Sequence, residues 1–277
     1  GGTDGGNKAC ILNNAHVLAE AGGNFPIVIA GNRNAARECE RILAGREVYV
    51  CENVMPKFGT LNIEPAQQRI RDIFLSRIVR AKGLTKASEL ISGILMPTPS
   101  AFLAAMRLLA DGTKAQSGIG ELIAVDVGGA TTDVYSIAAG MPDHPGTILK
   151  GLPEPYVKRT VEGDVGMRYS IHGIVDAAGL DTVAAISGLA AERVDFLGTH
   201  TDTLPNTPEL ETLDEALAGC AIRTAVTRHA GRIEETYTMM GLAYAQTGKN
   251  LMNVERLVVT GGSLIHTKNT GKIASYA

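Results

Sequence analysis

Apolar residues fall at helical spacing over residues 7–21, where Ile11, Leu12, Ala15, Leu18 and Ala19 recur and Gly22-Gly23 ends the run. The next apolar stretch, residues 25–30 (FPIVIA), is short and bounded by Asn and glycine, as suits a buried parallel strand. A helical pattern over 33–43 and a strand over 47–51 repeat the unit. This alternation predicts a doubly wound βαβ sheet. Residues 64–82 follow as a charged helix with Ile70, Ile73, Phe74 and Ile78 along one side. Helical segments over 88–92 and 101–110 come next, with Pro97-Thr98-Pro99-Ser100 between them able to start the second.

A polar, glycine-rich stretch, residues 111–121 (DGTKAQSGIGE), places a domain boundary there, with expected domains at 1–118 and 119–277. The second begins with a strand whose Ile123, Val125 and Val127 share one face while Asp126 sits inside it. Two glycines and a return strand ending near 139–140 follow. Residues 141–155 read as an exposed excursion rich in Pro and Gly. Helical patterns are expected over 166–178 and 214–236. The last strand, 256–260, runs into Gly261-Gly262-Ser263.

A chain of 277 residues is long enough for two such lobes. Its net charge of -3, from 26 Lys and Arg against 29 Asp and Glu, offers no field for nucleic acid or an anionic membrane. The four cysteines are far apart, with neither a CxxC pair nor zinc-like spacing, and read as buried thiols in a reducing cytoplasm. No run approaches 18 uninterrupted apolar residues, so a soluble, cytoplasmic protein is expected. The six histidines are scattered and read as structural or surface residues.

The chemistry concentrates in residues 124–134, AVDVGGATTDV. A turn spanning Gly128 to Thr131 would set Val127 opposite Thr132 and Asp126 opposite Asp133, with both carboxylates on one face. At an effective dielectric near 20, two such charges about 4 Å apart repel by roughly 4 kcal/mol, so something positive belongs beside them. A hydrated Mg²⁺ meets that need, with Asp126 and Asp133 as its candidate ligands. The Gly128 and Gly129 amides and the Thr131 and Thr132 hydroxyls could cradle a terminal phosphate. A glycine pair can also merely close a hairpin; the two acids and two threonines favour the cradle.

Residues 257–266, LVVTGGSLIH, form a second constellation. Gly261 and Gly262 let a ligand approach the backbone, and Ser263 could cap a helix whose N-terminus favours anions. Strand-glycine-helix junctions also serve plain packing. Its weight comes from its pairing with the first. In residues 160–166, TVEGDVG, Glu162 and Asp164 could touch a ribose or a metal-bound water, or only supply helix-start carboxylates. Residues 1–7, GGTDGGN, look like another phosphate cradle but lack the Walker A lysine spacing. Asn7 as a helix cap is the favoured reading there.

The hairpin and the later VVTGGS (258–263) resemble the phosphate-2 and adenosine signatures of the actin, Hsp70 and sugar-kinase ATPase superfamily. Within it, the whole chain resembles the glutamate-mutase-associated MutL family. The residues that carry this are GGTDGGN (1–7), AGN (30–32), ENVMP (52–56), LNIEPA (61–66), ILMPTPSA (94–101), DVGGATTDV (126–134), VEGDVGMR (161–168) and VVTGGS. This family is distinct from the mismatch-repair MutL. The resemblance implies an N-terminal doubly wound lobe and a C-terminal actin/Hsp70-like ATPase lobe. It also implies ATP and Mg²⁺ as cofactors, and an adenosylcobalamin-dependent aminomutase as the partner to be reactivated or assembled.

Carried over, Asp126 would hold Mg²⁺ through water, and Gly128, Gly129, Thr131 and Thr132 would contact the β and γ phosphates. Asp133 would orient the metal shell or the attacking water, and Gly261, Gly262 and Ser263 would line the adenosine side. Arg223, Arg228 or Arg232 could flank adenine or lie on solvated helix faces. The superfamily's earlier DxGST-like hairpin is absent from residues 1–277, so an N-terminally truncated chain that binds ATP weakly is expected. A small-molecule kinase with Asp133 as base, or a nucleotide-independent scaffold docking a mutase, are the competing expectations, and the oligomeric state is open.

Overall fold

The computed structural model describes residues 1–81, 97–188, 191–239 and 241–277. The helix expected over 88–92 lies outside these. The described chain is mixed α/β and divides into two compact units, Gly1–Pro97 and Thr98–Ala277. Among the described residues no helix is long and apolar enough to cross a membrane.

In the first unit, helix α1 (Ala9–Glu20) starts where the Asn7 side chain accepts the Ala9 amide at 2.7 Å. Strands β1 (Ile27–Ile29) and β2 (Val48–Val50) pair in parallel, joined through helix α2 (Ala36–Ile42). Ile11, Ala15, Ile27, Ile29, Ala35, Cys39 and Leu43 form the buried core between them. Of the doubly wound sheet expected here, the described residues show one parallel pair with its crossover helix. Helix α3 (Glu64–Ala81) follows.

The second unit opens with helix α4 (Thr98–Asp111), which carries Pro99 in its first turn. Met106 and Ala110 of α4 pack on Leu122, Ala124, Tyr135 and Ile137, which lie on one face of the next sheet. That packing moves the division from the expected 118/119 to Pro97/Thr98. The sheet contains β3 (Leu122–Val127), β4 (Thr132–Ile137), β6 (Val157–Glu162) and β9 (Leu257–Thr260) in the order β6-β4-β3-β9. β4 is antiparallel to both neighbours, and β9 runs parallel to β3.

The opposite face, with Val125, Val127 and Val134, shares a core with Leu213, Leu217, Ala221 and Ile222 of helix α8 (Pro208–His229). Helices α5 (Ile171–Ala178), α6 (Leu180–Ser187) and α7 (Ala191–Thr199) precede α8. Helices α9 (Gly262–Ile265) and α10 (Thr270–Ala274) end the chain described.

Two expectations fail here. The helix expected over 214–236 instead runs Pro208–His229, and residues 232–238 turn into strand β7 (Arg232–Thr238), paired with β8 (Gly241–Thr247). The cause is at Gly231, where a Cβ would meet Thr247 O at 2.6 Å, so the backbone of the returning strand closes on the helix end. The excursion over 141–155 supplies β5 (Ile148–Lys150), which completes a second sheet in the order β5-β8-β7. The helix expected over 166–178 starts only at Ile171, because the amides of Met167, Arg168 and Tyr169 are committed to the β3–β4 turn.

Candidate functional site

The hairpin forms in the expected register, Val127 opposite Thr132 and Asp126 opposite Asp133. Its turn is clamped from outside. Met167 N–H donates to Gly128 O at 3.0 Å, and Arg168 and Tyr169 N–H donate to Gly129 O at 2.8 and 2.9 Å. A Cβ on Gly166 would lie 2.3 Å from the Ala130 carbonyl carbon, so this approach requires glycine. The Gly128 amide is spent within the turn, donating to Thr131 O at 2.9 Å. The Thr132 hydroxyl is buried and donates to Val165 O at 2.9 Å. These two expected phosphate donors are therefore committed to holding the hairpin.

The two carboxylates also part company. Asp133 is buried and its Oδ1 accepts from Arg159 Nε at 2.8 Å, with Arg159 Nη2 at 2.6 Å. The positive charge that the pair demands is thus supplied by β6. The Asp126 carboxylate takes no hydrogen bond among the described residues. Burial pushes its carboxyl above the ordinary carboxylate value, and the Asp133 charge pushes it further.

A cavity of about 810 Å³ opens beside this turn, lined by Asp126, Gly128, Gly129, Gly261, Gly262 and Ser263 among others. Both glycine constellations therefore meet at one hollow. The parallel pairing of Asp126 with Thr260 brings them there. Gly261 has φ +104°, and a Cβ on it would stand 2.2 Å from Val127 O. By contrast, a Cβ on Gly262 would meet open space. The first glycine permits the close approach of β9 to β3, and the second leaves room for a ligand.

Other expected residues lie elsewhere. Glu162 and Asp164 are bound by Arg228, whose Nη1 lies 2.7 Å from Glu162 Oε2 and 3.1 Å from Asp164 Oδ1. The hydrogen bond that Arg228 donates to Glu162 is the first cause that holds its guanidinium above its ordinary value. Arg232 pairs with Glu234 on β7, and Arg223 lines a separate hollow with Cys220 and Tyr276. None of the three arginines lines the larger cavity. Thr131 contributes its carbonyl to the turn and is also absent from that lining.

The wall includes residues that the sequence reading missed: Arg168, Thr203, Glu211, Asp214 and Glu215. Arg168 Nη1 lies 2.9 Å from Asp214 Oδ1, and the Ser263 hydroxyl donates to Asp214 Oδ2 at 3.4 Å. Burial raises the Asp214 carboxyl, opposed by the Arg168 guanidinium beside it. The available signal was an acid set among Leu213, Ala216 and Leu217 on the apolar side of a helix. Among the described residues no three potential His, Cys, Asp or Glu ligands gather for a metal. A Mg²⁺ ion would fit only with Asp126 supplemented by phosphate oxygens and water, which is its ordinary preference.

A family model described as MutL protein matches residues 1–277. Protein MutL of Clostridium tetanomorphum is 50% identical over 281 residues, covering 99% of this chain and 60% of that relative's length. The chain belongs to the glutamate-mutase-associated MutL family.

Proposed function

We propose that the full-length protein binds Mg-ATP in this cavity and acts as an ATPase that reactivates or assembles an adenosylcobalamin-dependent aminomutase in the cytoplasm. The observation that carries the reading is the meeting of the Gly128-Gly129 turn and the Gly261-Gly262-Ser263 junction at one hollow of about 810 Å³. On this reading the second unit supplies the phosphate and adenosine side of an actin/Hsp70-like ATPase. Family membership supports the mutase as the client.

The residues divide as follows. Asp126 would hold the magnesium ion, and Gly129 and Gly262 would offer backbone to the ligand, a Cβ on Gly262 meeting nothing within 4 Å. Magnesium, when bound, would supply charge neutralisation for the phosphates. Glu211, Asp214 and Glu215 make the α8 side of the cavity acidic, which suits ribose hydroxyls and repels phosphate. Asp133 acts at one remove, fixed by Arg159 and raising the proton affinity of Asp126. The kinase alternative needed Asp133 as a free base, and the Arg159 pair takes that freedom away.

Calorimetry with Mg-ATP on the full-length protein tests the reading. Asp126→Ala is expected to weaken binding at least about tenfold, equivalent to about 1.4 kcal/mol. Equal affinity and turnover in the wild type and Asp126→Ala would remove the nucleotide site.

A further inference from the structure

Arg168 ties together four parts of the cavity wall. Its amide donates to Gly129 O at 2.8 Å, so its backbone rides on the hairpin turn. Its guanidinium reaches the other way. Nε and Nη2 donate to Thr203 O at 3.3 and 3.1 Å, and Nη1 donates to Met167 O at 2.7 Å. The same Nη1 stands 2.9 Å from Asp214 Oδ1 on α8, and Asp214 Oδ2 accepts from Ser263 at the second glycine junction. The chain of contacts runs from the turn through loop 200–207 and α8 to the start of α9.

One link in this chain is incomplete. Asp214 Oδ1 is buried with no hydrogen bond, although a cationic nitrogen lies within ion-pair distance. The Arg168 and Asp214 side chains are 11% and 8% exposed, so water gives Oδ1 little relief. The guanidinium is a rigid fork whose Nε and Nη2 edge holds the Thr203 carbonyl while Nη1, bonded to Met167 O, stands beside the carboxylate, so neither contact moves without the other. A small shift of the turn that carries the Arg168 backbone therefore displaces the fork at both contacts together. Loop 200–207 responds directly, because Thr203 is held by two of the donors and Thr201, Thr203, Leu204 and Pro205 form its part of the cavity wall.

We propose that Arg168 is the positioning residue that couples occupancy of the Gly128-Gly129 turn to loop 200–207 and helix α8, so that phosphate binding at one wall sets the closure of the other. This rests on the nucleotide reading above and adds regulation to the same site. The coupling is reciprocal: a loop held shut by Arg168 favours the ligand-bound turn.

Hydrogen–deuterium exchange on the full-length protein, with and without Mg-ADP, separates the two ideas. In the wild type, nucleotide is expected to slow exchange at both 128–131 and 200–207, the latter about tenfold, within the usual range of coupling between sites. In Arg168→Ala, slowing at 128–131 is expected to persist and that at 200–207 to vanish. Arg168→Lys keeps the charge facing Asp214 but lacks the fork, so protection of the loop is again lost. Asp214→Asn, which is neutral and nearly isosteric, provides a second approach should Arg168→Ala fail to fold, and it is expected to reduce protection of the loop at least about threefold on the same scale.

Undiminished loop protection in folded Arg168→Ala or Asp214→Asn would overturn the coupling while leaving the nucleotide site intact. Wild-type protection confined to 128–131 would do the same. No nucleotide-dependent protection anywhere in the wild type would overturn the nucleotide reading, and this proposal with it.

Discussion

The loop GGTDGGN (1–7) and the turn GGATTD (128–133) are alike in sequence: paired glycines, a threonine and an aspartate. They differ in what surrounds them. In the first unit the aspartate and most of the glycines of the loop have protein partners. Asp4 Oδ1 accepts from the Arg33 amide and from Asn53 Nδ2, both at 2.9 Å. Buried Asn32 accepts from Gly5 N–H at 3.3 Å and donates to Gly6 O at 3.0 Å, while Asn53 donates to Gly2 O at 3.1 Å. In the second unit the turn is equally well held from behind, yet the Asp126 carboxylate has no hydrogen bond among the described residues and the glycines border a large cavity. A glycine-rich acidic loop is a structural knot when its polar groups are satisfied within the protein, and a binding surface when some are left over.

Glycine substitution should separate the two regions most sharply. Gly261→Ala places a Cβ 2.2 Å from Val127 O at φ +104°, and is expected to cost at least about 3 kcal/mol or prevent folding. Gly5→Ala, at φ +77° with nothing within 4 Å, should cost only about 1–2 kcal/mol. Denaturant melts of the two variants check the difference, and equal losses would break the comparison.

Acidification is the next discriminator. His229 is fully buried, hydrogen-bonded to Thr160 and Ser136, and held neutral: burial first, then the charges of Lys158 and Lys249, lower its pKa from 6.5 to about 3. Because the folded value is depressed, the unfolded chain takes up the proton first as pH falls. This contribution to stability is complete above pH 6.5 and is lost between 6.5 and about 3, at about 1.4 kcal/mol per pH unit. Asp4 is lowered from 3.8, mainly by the Arg33 amide, so its contribution persists until pH falls below that value. From pH 6.5 to 5 the His229 loss amounts to about 2 kcal/mol. Hydrogen exchange at the two pH values should show the second unit loosening before the first, and a His229→Gln variant should remove most of that slope.

The smallest effect expected is that of Asn32→Ala. Loss of its buried bonds should cost about 1–2 kcal/mol of stability and leave Mg-ATP affinity unchanged. A fall in affinity with the fold retained would show that the first loop is also a ligand site.

Much of this architecture was legible from local pattern. The alternation of Ile123, Val125 and Val127 and the glycine pair after them were enough to predict the β3–β4 register, and Asn7 was recognisable as a cap. The β7–β8 hairpin was not, because the helical pattern continues past His229 and what stops it is the approach of Thr247 to Gly231, 16 positions away. Glu162 and Asp164 carried a plausible ligand chemistry until Arg228, from the far end of α8, claimed both.

By itself the sequence determined most elements outside the β5-β8-β7 sheet, the β3–β4 register and the family, since periodicity and turn chemistry act over a few residues and a match spanning residues 1–277 leaves little room for coincidence. Tertiary structure alone decided which polar groups remain for a ligand. Arg159 claims Asp133 from the adjacent strand, Val165 claims the Thr132 hydroxyl from the clamping loop, and Arg168 brings Asp214 into the wall. Each of those partners lies 26 or more residues away, and a hydrogen bond or ion pair depends on distance in space, which local pattern does not encode.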